Sequence, residues 1–411
     1  MIKSYACPVG YVRTALTVLA LVAFASCGED RTYEYEEKTE QSHWVQDEMA
    51  EKYLWGDSIK DMQWKEYFGS PIDFVKKLIT QCKASDPWTY CTIDTLENNE
   101  FERGMFNHNN SYGLDLVLMT DPTGETTKQY ARVVTVYPDS PASECGIERG
   151  DFISLIDGEK VTTKTIEGLR KGLQRKIVVN RLDTNPVDGL LFWESIDSVT
   201  LPASAKVPDE QVWVSKMVSE DMAYLMLTNL QDGHSKDALY SLLAHDPQKV
   251  VIDLRLCNHG SLEEVCELAS LLNDSVGVFI QTIFNARRSA DNHSYSFSHA
   301  NAPRFVYFIT GTYTKGAAEW LIHGLKAMNS HDKVITFGTK TAGQNVWLEQ
   351  VKPPYSFTLN MAAAYVADAY GNYDYASGIK PDGEINELEF AKLSDYGDAD
   401  ETLLYVISTK F

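Results

Sequence analysis

Positive charge is scarce in this chain. Its 411 residues carry 37 Lys and Arg against 58 Asp and Glu, a formal net charge of −21. Phosphate backbones and anionic membrane faces repel such a surface, so nucleic acid is not expected as a partner. Metal-ligand spacing is missing as well. The seven cysteines form no CxxC and no Cys/His interval of the zinc type, and neither a metal nor another cofactor is expected. Apart from Cys7 and Cys27, five cysteines remain (Cys82, Cys91, Cys145, Cys257 and Cys266), an odd number that leaves one thiol unpaired unless a second chain takes part. Cys82 and Cys91 could pair in an oxidising compartment, which spacing alone does not decide. General disorder is excluded by 44% apolar and 11% aromatic residues. A last absence is local. The run "RFVYFITG" changes from strand-like to helix-like at Thr314–Leu321, "TKGAAEWL", and such elbows often carry a nucleophile. This one has neither serine nor cysteine.

The N-terminus has the order of a secretory signal: Lys3 and Arg13, an apolar core from Ala15 to Ala25, then Ser26-Cys27. The apolar core is too short to span a bilayer. Small residues before Cys27 make "FASC" resemble a bacterial lipoprotein signal, which implies a lipid on Cys27, a membrane partner through that lipid, and a place in the cell envelope at the outer membrane. The acidic "GED" that follows resembles the surface-export signal of Bacteroidetes-type lipoproteins.

Five segments follow from patterning. Residues 1–26 read as the signal peptide and 27–41, "CGEDRTYEYEEKTEQ", as an acidic tether without apolar period. Residues 42–108 read as a helical region: Ser42 caps "SHWVQDEMAEKYLW", and Ser70 opens "SPIDFVKKLITQC". Residues 109–205 turn to short strands, "YGLDLVLM", "YARVVTVYP", "FISLIDGEKV" and "KIVVNRL". Residues 206–411 alternate strand and helix: "VVIDLRL", "SLEEVCELASLL", "RFVYFITG", "AAEWLIHGLKAM", "KVITFGT". That alternation implies crossovers, a largely parallel sheet, and a ligand site at the C-terminal strand ends.

Within the strand-rich segment, "SPASECGIERGDFISLIDGEKV" closely resembles the PDZ domains of bacterial proteases. Gly146 and Gly150 suit positive-φ turns and Asp157-Gly158 a tight hairpin. A PDZ domain adds a peptide as a strand and takes its terminal carboxylate on backbone N–H groups. The resemblance places this function on Tyr112, Gly113, Leu114, Asp115 and Leu116, and implies peptide or protein C-termini as partners.

Three loops of the last segment, "CNHGS", "GTYTKGAAE" and "TKTAGQN", with "SGIKPDGEI" after them, extend the likeness: from Ser42 onward the chain resembles the C-terminal processing (tail-specific) serine proteases. The resemblance implies a multidomain α/β fold with a helical N-terminal region, a PDZ-like domain and a crotonase-like core. In that family the first loop, "DLR.N.GG", helps form an oxyanion hole; here Gly260 and Ser261 stand in its glycine pair, and Ala317 follows the elbow. The second loop, "SASE", starts with the nucleophile, and its place is taken by Gly316. The third, "GEPTFGKG", supplies a lysine base; Gln344 stands there. Leu348 replaces a glutamine that orients that lysine. Glycine offers no attacking atom and an amide no useful proton acceptor, so a peptide-binding protein without peptidase activity is expected. The alternative is an active peptidase with a rearranged nucleophile and base, for which Thr314, Lys315, Lys340 and His323 are the nearby groups. An envelope scaffold indifferent to peptide ends is a third reading.

Overall fold

The computed structural model describes residues 32–82, 86–93, 108–231, 233–301, 304–330 and 332–410. The signal sequence and Cys27 lie outside them. The first element, helix α1 (Thr32–Lys52), starts ten residues before the expected cap. The stretch expected as a tether is therefore helical from Thr32, and Ser42 is buried within the helix instead of capping it. Glu, Lys and Gln are good helix formers, and acidic Glu36 and Glu37 near the start suit the helix dipole. Tyr35, half exposed, meets Phe68 edge-on at 6.0 Å. Helix α2 (Pro71–Gln81) starts as expected, with Ser70 Oγ accepting from Asp73 N and proline in its first turn. Strand β1 (Tyr90–Ile93) follows.

The PDZ-like unit is one antiparallel sheet. Its strands are β2 (Leu114–Thr120), β3 (Gln129–Val136), β4 (Phe152–Ile156), β5 (Glu159–Lys160), β6 (Arg175–Thr184) and β7 (Leu191–Leu201). Short helices α3 (Pro141–Glu144) and α4 (Thr163–Glu167) complete it. The order β2-β3-β4-β6-β7 leaves β2 on an edge. Asp157 and Gly158, at φ 53° and 82°, make the primed turn between β4 and β5.

The third unit holds β8 (Val212–Met217), β9 (Met222–Leu227), α5 (His234–Leu243), β10 (Lys249–Asp253) and α6 (Leu262–Ala269). It continues through β11 (Gly277–Phe284), β12 (His293–Phe297), β13 (Phe305–Thr310), α7 (Ala317–Met328) and β14 (Val334–Gly338). It ends with β15 (Val346–Val351), β16 (Phe357–Asp368), β17 (Gly383–Glu384) and α8 (Thr402–Lys410). The sheet β17-β14-β13-β10-β9-β8 is parallel except at β8. Both of its faces are covered. Ala223, Leu225, Val250, Ile252, Val306 and Phe308 pack toward α5–α7, while Tyr224, Val251, Tyr307 and Ile309 pack toward Leu403 and Ile407 of α8.

A second sheet, antiparallel, was not foreseen from the patterning. It joins β1, β16, β11 and β12, with β15 beside β16. Because β1 pairs with β16, the N-terminal region is built into the core unit and not merely placed next to it. Val45, Met49, Phe74 and Leu78 share one cluster with Phe357, Leu359 and Met361, and Leu54 N donates to Ala362 O at 2.8 Å.

Candidate functional site

The site grows from the C-terminal end of β13. Its neighbours β10 and β14 end at the same level, so the loops that follow all three meet there. The turn after β13 is tied down at Gly311, Thr314, Lys315 and Gly316. Gly311 N donates to Thr314 Oγ1 (2.9 Å), whose hydroxyl donates to Leu254 O (2.7 Å). Lys315 N donates to Cys257 O (3.1 Å). Gly316 then turns the chain into α7 at φ 58°, ψ −118°, a backbone conformation that side chains disfavour and that marks a sharp strand-to-helix elbow.

Glu319, one turn into α7 and fully buried, joins this elbow to the loop after β14. Its carboxylate accepts from Gly316 N (3.1 Å), Gly343 N (2.7 Å), Gln344 N (2.7 Å) and the Thr341 hydroxyl. Burial pushes its pKa up against the pull of these hydrogen bonds. Trp320 Nε1 adds a bond to Gln344 O at 3.2 Å. The clamp brings together the positions expected for nucleophile and base: a Cβ built on Gly316 would have Gln344 Cδ, Nε2 and Oε1 all 3.4 Å away. Leu348 lines the same cleft, of about 460 Å³.

Of the residues expected in the oxyanion loop, Gly260 and Ala317 line the cleft and Ser261 does not. A Cβ on Gly260 would sit 2.7 Å from the Ala317 Cβ, so the loop packs directly on the elbow. Ala317 opens α7 and its N–H has no partner inside the helix; both residues line the cleft. Ser261 N is instead spent on Leu230 O (2.7 Å), and its Oγ caps α6 by accepting from Glu264 N (3.1 Å). A serine ahead of an acidic helix start is a cap signal, which the loop motif obscured.

The four groups considered as substitutes scatter. The Thr314 hydroxyl is buried and fully engaged, as above. His323 Nε2 lies 2.9 Å from Asn372 O, away from the elbow, and Lys340 is exposed and outside the cleft lining. Only Lys315 faces the cleft, where burial pushes its pKa down and its ammonium lies 5.9 Å from the Trp88 ring centroid. Trp88 and Cys91 reach the cleft from the N-terminal region. No motif flagged them, since only the tertiary pairing of β1 carries them there. No disulfide joins the described cysteines, and Cys82 Sγ lies 3.5 Å from Leu78 O. Among the described residues no His/Cys/Asp/Glu group is arranged to hold a metal ion.

The expected peptide-binding positions start β2, the edge strand, whose outer backbone groups have no strand partner in that sheet. Leu114 belongs to the PDZ-like core and Leu116 packs against it. The side chains of Tyr112 and Asp115 are turned away. Tyr112 is fully buried and donates its hydroxyl to Leu173 O. Asp115 lines a cavity of about 240 Å³ between the PDZ-like unit and the core, beside Arg255, Tyr313 and Glu387. Desolvation there pushes Asp115 up to about 6. Gly113, at φ 82°, supplies the turn into β2.

Arg255 does not serve the elbow. Its guanidinium is bound by Asp253 (Nε at 3.0 Å), Glu401 (2.8 Å) and Glu387. Arg149 of the PDZ-like unit meets the same Glu387 at 2.5 Å, Tyr396 lies between the two arginines, and Arg132 donates to Leu388 O and Ala391 O. The segment 384–401 thus fixes the PDZ-like unit to the core.

Residues 221–385 match the model for Peptidase family S41 and residues 132–178 that for the PDZ domain. A solved S41 protease from Bacteroides fragilis NCTC 9343 is similar over 89% of this chain and 95% of its own, at 27% identity and a TM-score of 0.74. The photosystem II D1 C-terminal processing protease shares the fold, with a TM-score of 0.52 and 16% identity over 85% of this chain and 93% of its own. A CtpA-like serine protease of Staphylococcus haemolyticus is 21% identical over 66% of this chain and 53% of its own length. The chain spans about half the length of such curated relatives.

Proposed function

Because this chain belongs to the C-terminal processing proteases, peptidase family S41, we propose that it is a member that holds peptides or protein C-termini without cutting them. One observation carries the reading: at a strand-to-helix elbow that keeps its sharp turn, Gly316 faces Gln344. Acyl transfer there needs an oxygen or sulfur that attacks and a base that takes its proton. Glycine has no such atom, and a glutamine amide does not titrate near neutral pH. The N–H groups of Gly260 and Ala317, the aromatic walls of the cleft and the open edge of β2 are what a peptide would use. The leader suggests the setting: lipidation of Cys27 anchors the protein at the outer membrane, its acidic surface toward the aqueous side. Cys27→Ala then leaves the protein unlipidated by mass spectrometry and free of the membrane fraction.

The test incubates the full chain with apolar-ended peptides and follows binding by calorimetry and integrity by mass spectrometry. Saturable binding with peptides intact after hours is the expected result. A cleavage ladder that copurifies with the protein through successive columns would overturn the reading.

A further inference from the structure

The cleft at Gly316 has a charge opposite to that of the protein. Against a formal net charge of −21 for the chain, its lining holds Lys76 and Lys315 and no aspartate or glutamate. Lys315 is the unusual member. It lies largely out of solvent against Trp88, with its pKa pushed down by that burial, and makes no ion pair among the described residues. Glu319, a carboxylate close enough to influence it, has its oxygens committed to Gly316, Gln344, Gly343 and Thr341. A largely desolvated ammonium without a counter-ion is costly unless a ligand supplies the anion.

The groups around it suit one kind of anion. Gln344 is 8% exposed and lines the cleft. Its Oε1 accepts no hydrogen bond from the described residues, and its Nε2 has only a 3.4 Å contact with Val346 O. The α7 N-terminus at Ala317, packed against Gly260, adds donors and a favourable dipole. Between them, the absence of a side chain on Gly316 leaves room: nothing comes nearer than 3.4 Å to the Cβ position. Trp88, Trp320, Trp347 and Leu348 give the cleft apolar walls beside the polar Thr89, Gln231, Asn258 and Asn360, and its roughly 460 Å³ is more than a bare anion fills.

We propose that the cleft is a receptor for the terminal carboxylate of a peptide, seated where a serine side chain would stand. The Gly260 and Ala317 N–H groups and the Gln344 amide donate to the carboxylate, Lys315 is its counter-ion, and the tryptophans hold the last apolar side chains. The inference rests on the peptide-binding reading above and deepens it: the site binds an end and not a chain passing through. The substitution of Gly316 and Gln344 then has a positive consequence, exchanging a site for a scissile amide for one that fits a carboxylate.

The test measures binding of the full chain to two octapeptide pools ending in alanine, valine or leucine. The pools differ only in a free-acid or amidated C-terminus. The free acid is expected to bind about tenfold or more tightly, as for one charge-assisted contact in a partly buried site. Lys315→Met brings the two pools to within about twofold of each other, while Lys315→Arg, which keeps the charge and guards against a folding artefact, retains most of the preference. Gly316→Ser, which fills the vacated volume, also reduces it. Equal binding of both pools by the unmodified chain overturns the inference. So does a preference that survives Lys315→Met but is lost in Leu116→Asp on the β2 edge, since the PDZ-like unit then reads the terminus and the peptide-binding reading stands. Octanoate competing as well as the free-acid pool would replace peptides with apolar carboxylates at large. Failure of both pools to bind removes the peptide-binding reading itself, and this inference with it.

Discussion

Gly316 shows how much one residue decides. At φ 58° and ψ −118° its backbone is in a region that costs a side-chain-bearing residue about 1–3 kcal/mol. Gly316→Ser is therefore expected to lower stability by roughly that amount, with no steric clash to add to it, since the nearest atoms to the new Cβ lie 3.4 Å away. Denaturant midpoints check this, and an unchanged midpoint would mean that the elbow relaxes around serine. That Gly316, Gln344 and Leu348 would meet in one cleft was legible because the three loops carry dense local motifs. Ser261 was misread for the opposite reason: the motif spoke for an oxyanion loop, while the residue obeys the older rule that serine caps a helix. Lys315 and Trp88 could not be paired from sequence at all, being more than 200 positions apart and joined only through the second sheet.

Elements were legible where their pattern was unambiguous. β10, β13 and β14 are short β-branched and aromatic runs, and α7 is long and apolar on its buried face. β16 was hidden by its composition. "FTLNMAAAYVAD" is buried on both faces, so it shows no alternation, and its alanines favour helix until tertiary pairing overrides them. α1 started earlier than expected because a charged run can be helical when a few residues, such as Tyr35 and Ser42, find a surface to pack on. The segment 384–401 had no recognisable period either, yet Glu387 within it bridges Arg149 and Arg255. Although burial pushes the Glu387 carboxyl up, the two guanidiniums hold it below its ordinary value of 4.5. A depressed carboxylate pKa stabilises the fold at pH above that ordinary value, and the contribution is lost as pH falls below it. Glu387→Gln is therefore expected to cost about 3–5 kcal/mol near neutral pH, as for breaking a buried ion pair from one side. The gap from the unmodified protein should close in acid. Unfolding midpoints at pH 7 and below pH 4 decide; a gap independent of pH would show that Glu387 acts by packing alone.

For the molecule as a whole, three units converge on one elbow. The core supplies the loops, the N-terminal region supplies Trp88 and Cys91 through β1, and the PDZ-like unit is held beside Tyr313 of the same Gly311–Gly316 loop. The parallel sheet and the PDZ-like unit could be read ahead of the structure. Their union could not, because it depends on buried charges and on a strand borrowed from the N-terminal region. On the proposed function, this assembly binds peptide ends and does not cut them, for want of two side chains. The most direct measurement compares cleavage of a peptide pool by the full chain and by its Gly316→Ser/Gln344→Lys variant under identical purification. Cleavage by the variant alone is the predicted result and places the silence in those two positions. Cleavage by the unmodified chain, at a rate no contaminant explains, would contradict the account.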